Sequence, residues 1–426
     1  MQVLYTILMD TQPLVVVLAA GEGRHFVPLT TNKTIFPLLG VPILEHTMRM
    51  LHVAGLRNML VITSASNDTY IRTIQLQDST INTYCLDKPL GMGYALVKAK
   101  THIPAEVPLL VVNAVDVLEP IVVTDILRLS NGKYGALTGL YMKEYFPGGY
   151  LSFDKEKIIG VVEKPGPNKR PSDYIKLVCD YFSKPQEFIA ELEKIDWKHD
   201  DAYEQALSTL LKKHVFTFVP YTGGWSKLKY GFHVLEVMQL LLSYIKAPYV
   251  SATAFVSEKA IIQGTSYIED GAKIFEGAVI KDSYIGKNAV VGNHTLVRSS
   301  CVETGATVGF GSEIARSYVG KNCQVHHSFV GDSVLESECN VSWGTCLTNL
   351  RMDGKNISIK LEKERIETNM GKLGAVVAKG VFFGANTTTL PGVTMGAGAC
   401  TYPSAIVHEA LVANSTLKTH QKQEVE

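Results

Sequence analysis

From Val256 onward an aliphatic residue returns at nearly every sixth position: Val256, Ile262, Ile268, Ile274 and Ile280, then Ile285, Val291, Val297, Val302, Val308, Ile314, Val319 and Val325. A period of six with occasional steps of five is too long for an amphipathic strand and does not match the helical repeat. It fits a solenoid with three short strands per coil. The chain then turns a corner every six residues, and each aliphatic side chain enters a narrow interior that the next coil extends. Small residues between the anchors, as at Gly271-Ala272, Gly277-Ala278, Gly286 and Gly292, suit the corners. A second run from Val376 to about Ile406, with Gly392-Val393 and Gly396-Ala397-Gly398, keeps the pattern.

This pattern resembles the left-handed parallel β-helix of the hexapeptide-repeat acyltransferases, and the resemblance implies a homotrimer. The solenoid is one part of a longer design. A chain of 426 residues that is 46% hydrophobic has room for two or more domains with sizeable cores. Its 41 basic and 41 acidic residues cancel, so no net field favours nucleic acid or an anionic membrane, and any anion site must be local. The 7 cysteines (Cys85, Cys179, Cys301, Cys323, Cys339, Cys346, Cys400) are odd in number, scattered and without C-x-x-C spacing. They read as reduced thiols with no zinc site, in a cytoplasmic protein. The apolar opening Val3–Met9 is short, lacks a cationic flank and is broken by Asp10 and Pro13, which supports neither a secretory signal nor a membrane span. Residues 1–12 read as a leader to the first strand.

Leu14-Val15-Val16-Val17-Leu18 is the continuous aliphatic run of a strand buried on both faces of a parallel sheet, and Ala19-Ala20-Gly21-Glu22-Gly23 follows it as a turn able to carry phosphate. Strand-like runs recur at Met59–Thr63, Pro108–Asn113 and Val215–Val219, with helix-like stretches such as Ile43–Ala54 between them. The expected organisation is an α/β Rossmann-like domain over residues 1–233, a linker helix over 234–249 that contains the apolar segment Val234–Ile245, and the β-helix over 250–426.

A lone G-x-G after a strand says little, because small residues also serve close helix–sheet packing. The stretch LAAGEGRHFVPLTTNKTIFPLLGVPILEH says more: it resembles the signature loop of the sugar-1-phosphate nucleotidylyltransferases. Pro89–Gly93, Val112–Asp116, Gly149 with Asp154, and Glu163-Lys164-Pro165 follow in that family's order. Those enzymes join a sugar-1-phosphate to the α-phosphate of a nucleoside triphosphate, which calls for backbone N–H groups, cations and Mg²⁺ around the phosphoryl oxygens. The resemblance implies nucleotide contacts from Gly21, Gly23, Arg24, Lys33 and Gly91, sugar-phosphate contacts from Gly149, Glu163 and Lys164, and a metal ligand in Asp116. Several positions depart from the family. His25 takes the place of the signature arginine, and the loop before Lys33 is about two residues short. Asn32 replaces a proline, Lys227 stands where a second carboxylate is expected, and Val178-Cys179-Asp180 replaces an asparagine-alanine-glycine motif. A protonated lysine repels Mg²⁺ rather than binding it.

The segment from Glu313 to Lys355 resembles the acetyltransferase half of the bifunctional glucosamine-1-phosphate acetyltransferase and N-acetylglucosamine-1-phosphate uridylyltransferase, especially its archaeal relatives, and the domain order of the whole chain is the same. His326-His327-Ser328-Phe329-Val330-Gly331-Asp332 matches the motif that carries the general base, with His326 in register; counting from Glu313 selects His327. Imidazole titrates where it can take a proton from an amine. The resemblance implies further roles for Asn340, Asn349 and Lys355, and acetyl-coenzyme A contacts from Ala385 and Asn386 between adjacent solenoids. Here too there are departures: Ala315 replaces a lysine, Phe329 replaces a tyrosine, and Arg298 is the candidate for a phosphate-reading arginine. The charged, non-periodic residues Lys360–Asn369 read as a loop extruded from the solenoid or packed on a neighbouring subunit.

Three functions follow. The first is acetyl-CoA-dependent N-acetylation of an amino-sugar-1-phosphate, with a fused nucleotidyltransferase domain that is either active or impaired. The second is nucleotidyl transfer with a structural β-helix, using nucleoside triphosphate and Mg²⁺. The third is a non-catalytic sensor or assembly subunit.

Overall fold

The computed structural model describes residues 12–197, 201–361 and 364–419. Apart from Gln12, the leader expected at residues 1–12, with its apolar opening, lies outside them. The chain divides into two compact units: Met1–Glu22, Asn32–Ile35 and Ile43–Trp225 form one, and Gly23–Thr31, Phe36–Pro42 and Ser226–Glu426 form the other.

The first unit is built on a nine-stranded mixed sheet. Its strands are β1 (Leu14–Leu18), β2 (Asn58–Ser64), β3 (Thr80–Leu86), β4 (Leu109–Asn113), β5 (Gly135–Tyr141), β6 (Gly149–Asp154), β7 (Lys157–Glu163), β8 (Tyr174–Phe182) and β9 (Phe216–Tyr221). β1 lies centrally between β4 and β2 and is parallel to both, which explains why its five residues are all aliphatic. β8 crosses antiparallel beside β4 and β5. Helix α1 (Ile43–Val53) buries Ile43, Leu44, Thr47, Met48, Met50 and Leu51, the one-sided spacing of an amphipathic helix against a sheet. The strand and helix expectations for this half hold to within a residue or two. A cavity of about 640 Å³ lined by Leu14, Asn58, Arg72, Asn82 and His102 among others opens where β1 begins, at the opposite end of that strand from the glycine turn.

In the second unit the chain from Tyr249 winds into a left-handed parallel β-helix with faces of eight, nine and eight strands. The six-residue repeat becomes three ladders of inward side chains. Ile268, Ile285, Val302, Val319, Leu335, Val377 and Met395 are stacked partners on the first face. Ile274, Val291, Val308, Val325, Val341 and Phe383 occupy the second, and Ile280, Val297, Ile314, Val330 and Leu347 the third. All of these are fully buried, and each such side chain contributes roughly 1.5–3 kcal/mol. Near the end of the second run Val407 is the inward residue and Ile406 is 61% exposed. A linker helix, α2 (His233–Ser243), precedes the solenoid where an apolar helix was expected.

Many corners hold a residue in the left-handed region, where Asn, Asp and His are tolerated and Gly costs nothing. Glycines alternate with such side chains from coil to coil, as with Asn288 over Gly271, His294 over Gly277 and Asn322 over Gly305. The excursion expected near Lys360–Asn369 exists, but it is an antiparallel hairpin of Ile357–Leu361 and Glu364–Met370. The Leu373 N–H donates to the Asn349 carbonyl at 3.0 Å, closing the base of the excursion.

Candidate active sites

In the first unit the turn after β1 faces Lys33: a Cβ built on Gly21 would lie 3.9 Å from the lysine Nζ. A bare backbone beneath an ammonium suits a phosphate, and the carboxyl end of a central parallel strand is where open α/β sheets take ligands. Asn32, in place of the family's proline, accepts from Thr34 N at 2.9 Å and Thr34 Oγ1 at 2.8 Å, so it closes the turn that starts the short helix Lys33–Ile35. Asn67 was not singled out by the sequence. It is 1% exposed, and its Nδ2 donates to the Ala19 carbonyl and to Thr34 Oγ1, both at 2.8 Å, stitching the glycine turn to the lysine segment. Gly91 opens the helix Met92–Lys98 with φ 98°. Asp116 is 3% exposed just beyond β4.

Gly149, Glu163 and Lys164 do come together. Gly149 pairs with Glu163 across β6 and β7, and a Cβ there would sit 3.0 Å from Glu163 Oε2, while Lys164 Nζ lies 3.2 Å from Glu163 Oε1. The residues that replace the family's amide motif turn inward. Cys179 is buried with its thiol pushed up to about 12, chiefly by desolvation. Asp180 accepts from Lys176 Nζ at 2.5 Å and from the Tyr203 hydroxyl at 2.7 Å in a fully buried cluster. Burial pushes the Asp180 carboxyl up against the pull of Lys176. Burial also lifts neighbouring Glu204 to about 7, with Glu163 and Asp180 adding to the rise.

The structure places Gly23 and Arg24 in the second unit. Gly23 has φ 70° and its carbonyl accepts from Phe26 N at 2.7 Å. His25, at the position of the signature arginine, packs its ring 5.7 Å from that of Tyr230. Lys227 also belongs to this unit. Desolvation, with smaller effects from Lys229 and then Lys227, holds the half-buried His233 imidazole down near 4, so His233 is neutral and accepts from the backbone N–H groups of Lys229 and Tyr230 at 3.2 Å. Among the described residues no three or more His, Cys, Asp or Glu side chains are grouped to hold a metal ion.

On the solenoid, most of the candidates lie on the third face or at its two edges. The corner that leads onto it has four residues in neighbouring coils, Gly309-Phe310-Gly311-Ser312 and Ser342-Trp343-Gly344-Thr345, and only three between Val325 and Phe329, namely His326-His327-Ser328. His327 takes the left-handed slot with φ 39°. Its ring stacks 5.9 Å from Phe310 and 5.3 Å from Trp343, both at 13°, and its Nδ1 lies 3.2 Å from the Phe310 carbonyl. His326 is left exposed, tied through its backbone: its N–H donates to the Val341 carbonyl at 2.9 Å and its carbonyl accepts from Ser328 Oγ at 2.7 Å.

Across the face, Arg298, Ala315 and Gly331 are ladder partners, and Arg298 pairs with Glu313 at 2.7 Å. At the far edge Asp332 accepts from Arg316 Nε at 2.7 Å and Nη2 at 2.6 Å and from Asn349 Nδ2 at 2.5 Å. Because a carboxylate only accepts, this bond fixes the amide: Nδ2 points inward and Oδ1 is left as the acceptor. Gly331 leaves room for both neighbours, since a Cβ there would lie 2.6 Å from Phe329 Cζ and 2.7 Å from Asn349 Nδ2 and would displace those side chains. Arg316 and Asp332 as a pair were not foreseen; their spacing of 16 residues, one short coil, was the available signal.

Asn340 and Lys355 stand apart from this face, whereas Ala385 and Asn386 lie further along the corner that carries His326 and His327. Asn340 is on the second face, stacked between Gln324 and Phe382. Lys355 is exposed in the turn made by the bidentate Arg351–Asp353 pair. Asn386 fills the left-handed corner above Gly344, and Ala385 precedes it half-buried.

A glycine turn and lysine at the carboxyl end of a central parallel strand, followed by a β-helix, define a nucleotidyltransferase-type enzyme with an appended solenoid. Residues 14–227 match the nucleotidyl transferase family, and this chain belongs to it; it is a transferase. Residues 244–367 match the family described as the GMPPB C-terminal domain. The bifunctional sugar-1-phosphate nucleotidylyltransferase/acetyltransferase of Sulfurisphaera tokodaii is 28% identical over 401 residues, 92% of this chain and 96% of that protein. The bifunctional protein GlmU of Methanococcus vannielii is 27% identical over 413 residues, 94% of this chain and 96% of that protein. A solved UDP-glucose pyrophosphorylase from Acinetobacter baumanii aligns over 55% of this chain and 93% of its own, with 17% identity and a TM-score of 0.48.

Proposed function

We propose that the solenoid N-acetylates an amino-sugar-1-phosphate with acetyl-coenzyme A, and that the first unit joins a sugar-1-phosphate to a nucleoside triphosphate. The observation that carries the first activity is the third face, where an unencumbered histidine stands at one edge and an asparagine held by a buried carboxylate at the other. The strand between them spans Phe329–Gly331, about 10 Å of backbone. Asn349 Oδ1 accepts from the amine of the sugar and aims its lone pair at the thioester carbonyl. His326 removes the proton released as the C–N bond forms and returns it to the sulfur as the C–S bond breaks, so coenzyme A leaves as the thiol. Arg298 reads the sugar phosphate, and Lys355 assists from the excursion. Ala385 and Asn386 line the groove for the thioester donor against a neighbouring solenoid of a homotrimer, with Asn340 beside them. The similarity to bifunctional relatives over nearly the full chain supports both activities.

For the first unit, Gly21, Lys33 and Gly91 hold the triphosphate, Glu163, Lys164 and Gly149 the sugar phosphate, and Asp116 the Mg²⁺ that accompanies the nucleotide; Gly23 and Arg24, which belong to the second unit, are left out of this assignment. We also place the protein in the cytoplasm. All seven cysteines are free, and among the described residues no helix is long and apolar enough to cross a membrane. The balanced charge supports small anionic substrates rather than nucleic acid. The test is thiol release from acetyl-coenzyme A with glucosamine-1-phosphate or galactosamine-1-phosphate. Turnover by the native chain and a loss of about a hundredfold in His326→Ala are expected; no turnover with either acceptor overturns the acetyl-transfer reading.

A further inference from the structure

Glu336 follows the strand Val334–Leu335 on the first face of the solenoid and is 2% exposed. A carboxylate at such a position has to be fully hydrogen-bonded to remain there. Its donors come from a segment some three hundred residues away. Glu336 Oε1 accepts from Thr31 N at 2.8 Å and Thr31 Oγ1 at 2.6 Å, its carboxylate accepts from Thr30 N at 3.0 Å and Thr30 Oγ1 at 3.1 Å, and Oε2 also accepts from Lys379 N at 2.9 Å. Consecutive backbone N–H groups converging on one anion form a nest. Thr30 and Thr31 are the last residues before Asn32-Lys33, in a loop that is short by the family's pattern.

The chain on the other side of Lys33 is held in the same way. Glu303, also 2% exposed, accepts from Gly40 N at 3.3 Å. Phe36 packs its ring 5.1 Å from that of Tyr318. Lys33–Ile35 is therefore bracketed in sequence by two stretches that solenoid carboxylates fix.

We propose that Glu336 is a positioning residue for nucleotidyl transfer: by fastening Thr30 and Thr31 to the solenoid it sets the place of Lys33, so triphosphate binding depends on a residue of the β-helix. This rests on the reading above that Lys33 takes the triphosphate. Glu336 itself touches no substrate. The intervening Asn32 donates from its Nδ2 to Ser66 Oγ at 2.8 Å, so the carboxylate fixes the loop that leads into the lysine segment, and Asn32 fastens the segment itself.

The experiment uses the full chain and its Glu336→Ala and Glu336→Gln variants, with UTP or dTTP and glucose-1-phosphate or N-acetylglucosamine-1-phosphate as probes for pyrophosphate release. In Glu336→Ala the KM for triphosphate is expected to rise about tenfold or more while kcat changes less than about threefold, the mark of lost pre-positioning. Glu336→Gln, which keeps one acceptor oxygen, falls between. Acetyl transfer stays within about twofold of the native rate, and amide hydrogen exchange rises over residues 23–31. Unchanged KM in Glu336→Ala overturns the proposal, as does a parallel loss of both activities in Glu336→Gln, which would mean a merely structural role. Absence of pyrophosphate release from the native chain overturns the underlying reading instead, and the proposal with it.

Discussion

Asp332→Asn tests whether the third face is an organised site. The substitution conserves volume and removes a charge that serves three donors: Arg316 Nε, Arg316 Nη2 and Asn349 Nδ2. A neutral amide offers a single acceptor oxygen in its place. Hydrogen bonds to charged groups contribute about 1.5–3 kcal/mol each. The Arg316 side chain is 31% exposed, so its share is discounted for solvent, and the expected stability loss is about 2 kcal/mol. The effect on rate has a different origin. Once released, Asn349 samples about three χ1 wells and both amide orientations, so the productive arrangement is diluted about sixfold, roughly 1 kcal/mol. Asn349→Ala removes the acceptor outright and is expected to cost about a hundredfold. In a double-mutant cycle read by thiol release, Asp332→Asn should slow the native chain five- to tenfold and leave Asn349→Ala unchanged, so the coupling energy equals the whole single-mutant effect. If the two losses multiply, Asp332 does not act through Asn349 and the proposed orientation of the amide is wrong.

His327→Asn should keep the melting temperature within about 2 °C and acetyl transfer near the native rate, since asparagine accepts the left-handed corner; a hundredfold loss of thiol release would instead make His327 the base. Glu204 supplies the pH dependence. Its folded carboxyl is raised from 4.5 to about 7, so the folded state holds a proton that the unfolded chain has released. The stability this represents is complete below 4.5 and is lost as pH rises to 7, an upper limit of about 3 kcal/mol. Urea unfolding of Glu204→Gln should therefore gain on the native chain between pH 4.5 and pH 8, and parallel curves would show that Glu204 is not buried as described.

The β-helix was legible because every coil solves the same burial problem, so one repeat in sequence reports one ladder in space. The base assignment was not legible for a related reason. The step from Val325 to Val330 is five residues where neighbouring coils take six, and a deletion at a corner leaves no trace of which histidine inherits the left-handed slot. Only the Phe310–His327–Trp343 stack separates them. The excursion Ile357–Met370 was visible as a break in period but not as a hairpin, because its charged residues do not alternate with apolar ones. Asp180 read as a lost amide, since its Lys176 partner precedes it by four residues, a spacing at which residues in an unbulged strand do not touch. The register shift between those two residues is what brings them together. Asn67, Glu303 and Glu336 were missed because the contacts that give them their place are remote: Ala19 and Thr34 for Asn67, Gly40 for Glu303, and Thr30 and Thr31 for Glu336. Periodic burial is written locally, whereas a buried polar contact is written in two places at once, and a single sequence shows neither half as half of anything. The contacts proposed to align its chemistry are of the second kind, which is why the signature lysine is read from its motif and the glutamate proposed to fix its approach only from the fold.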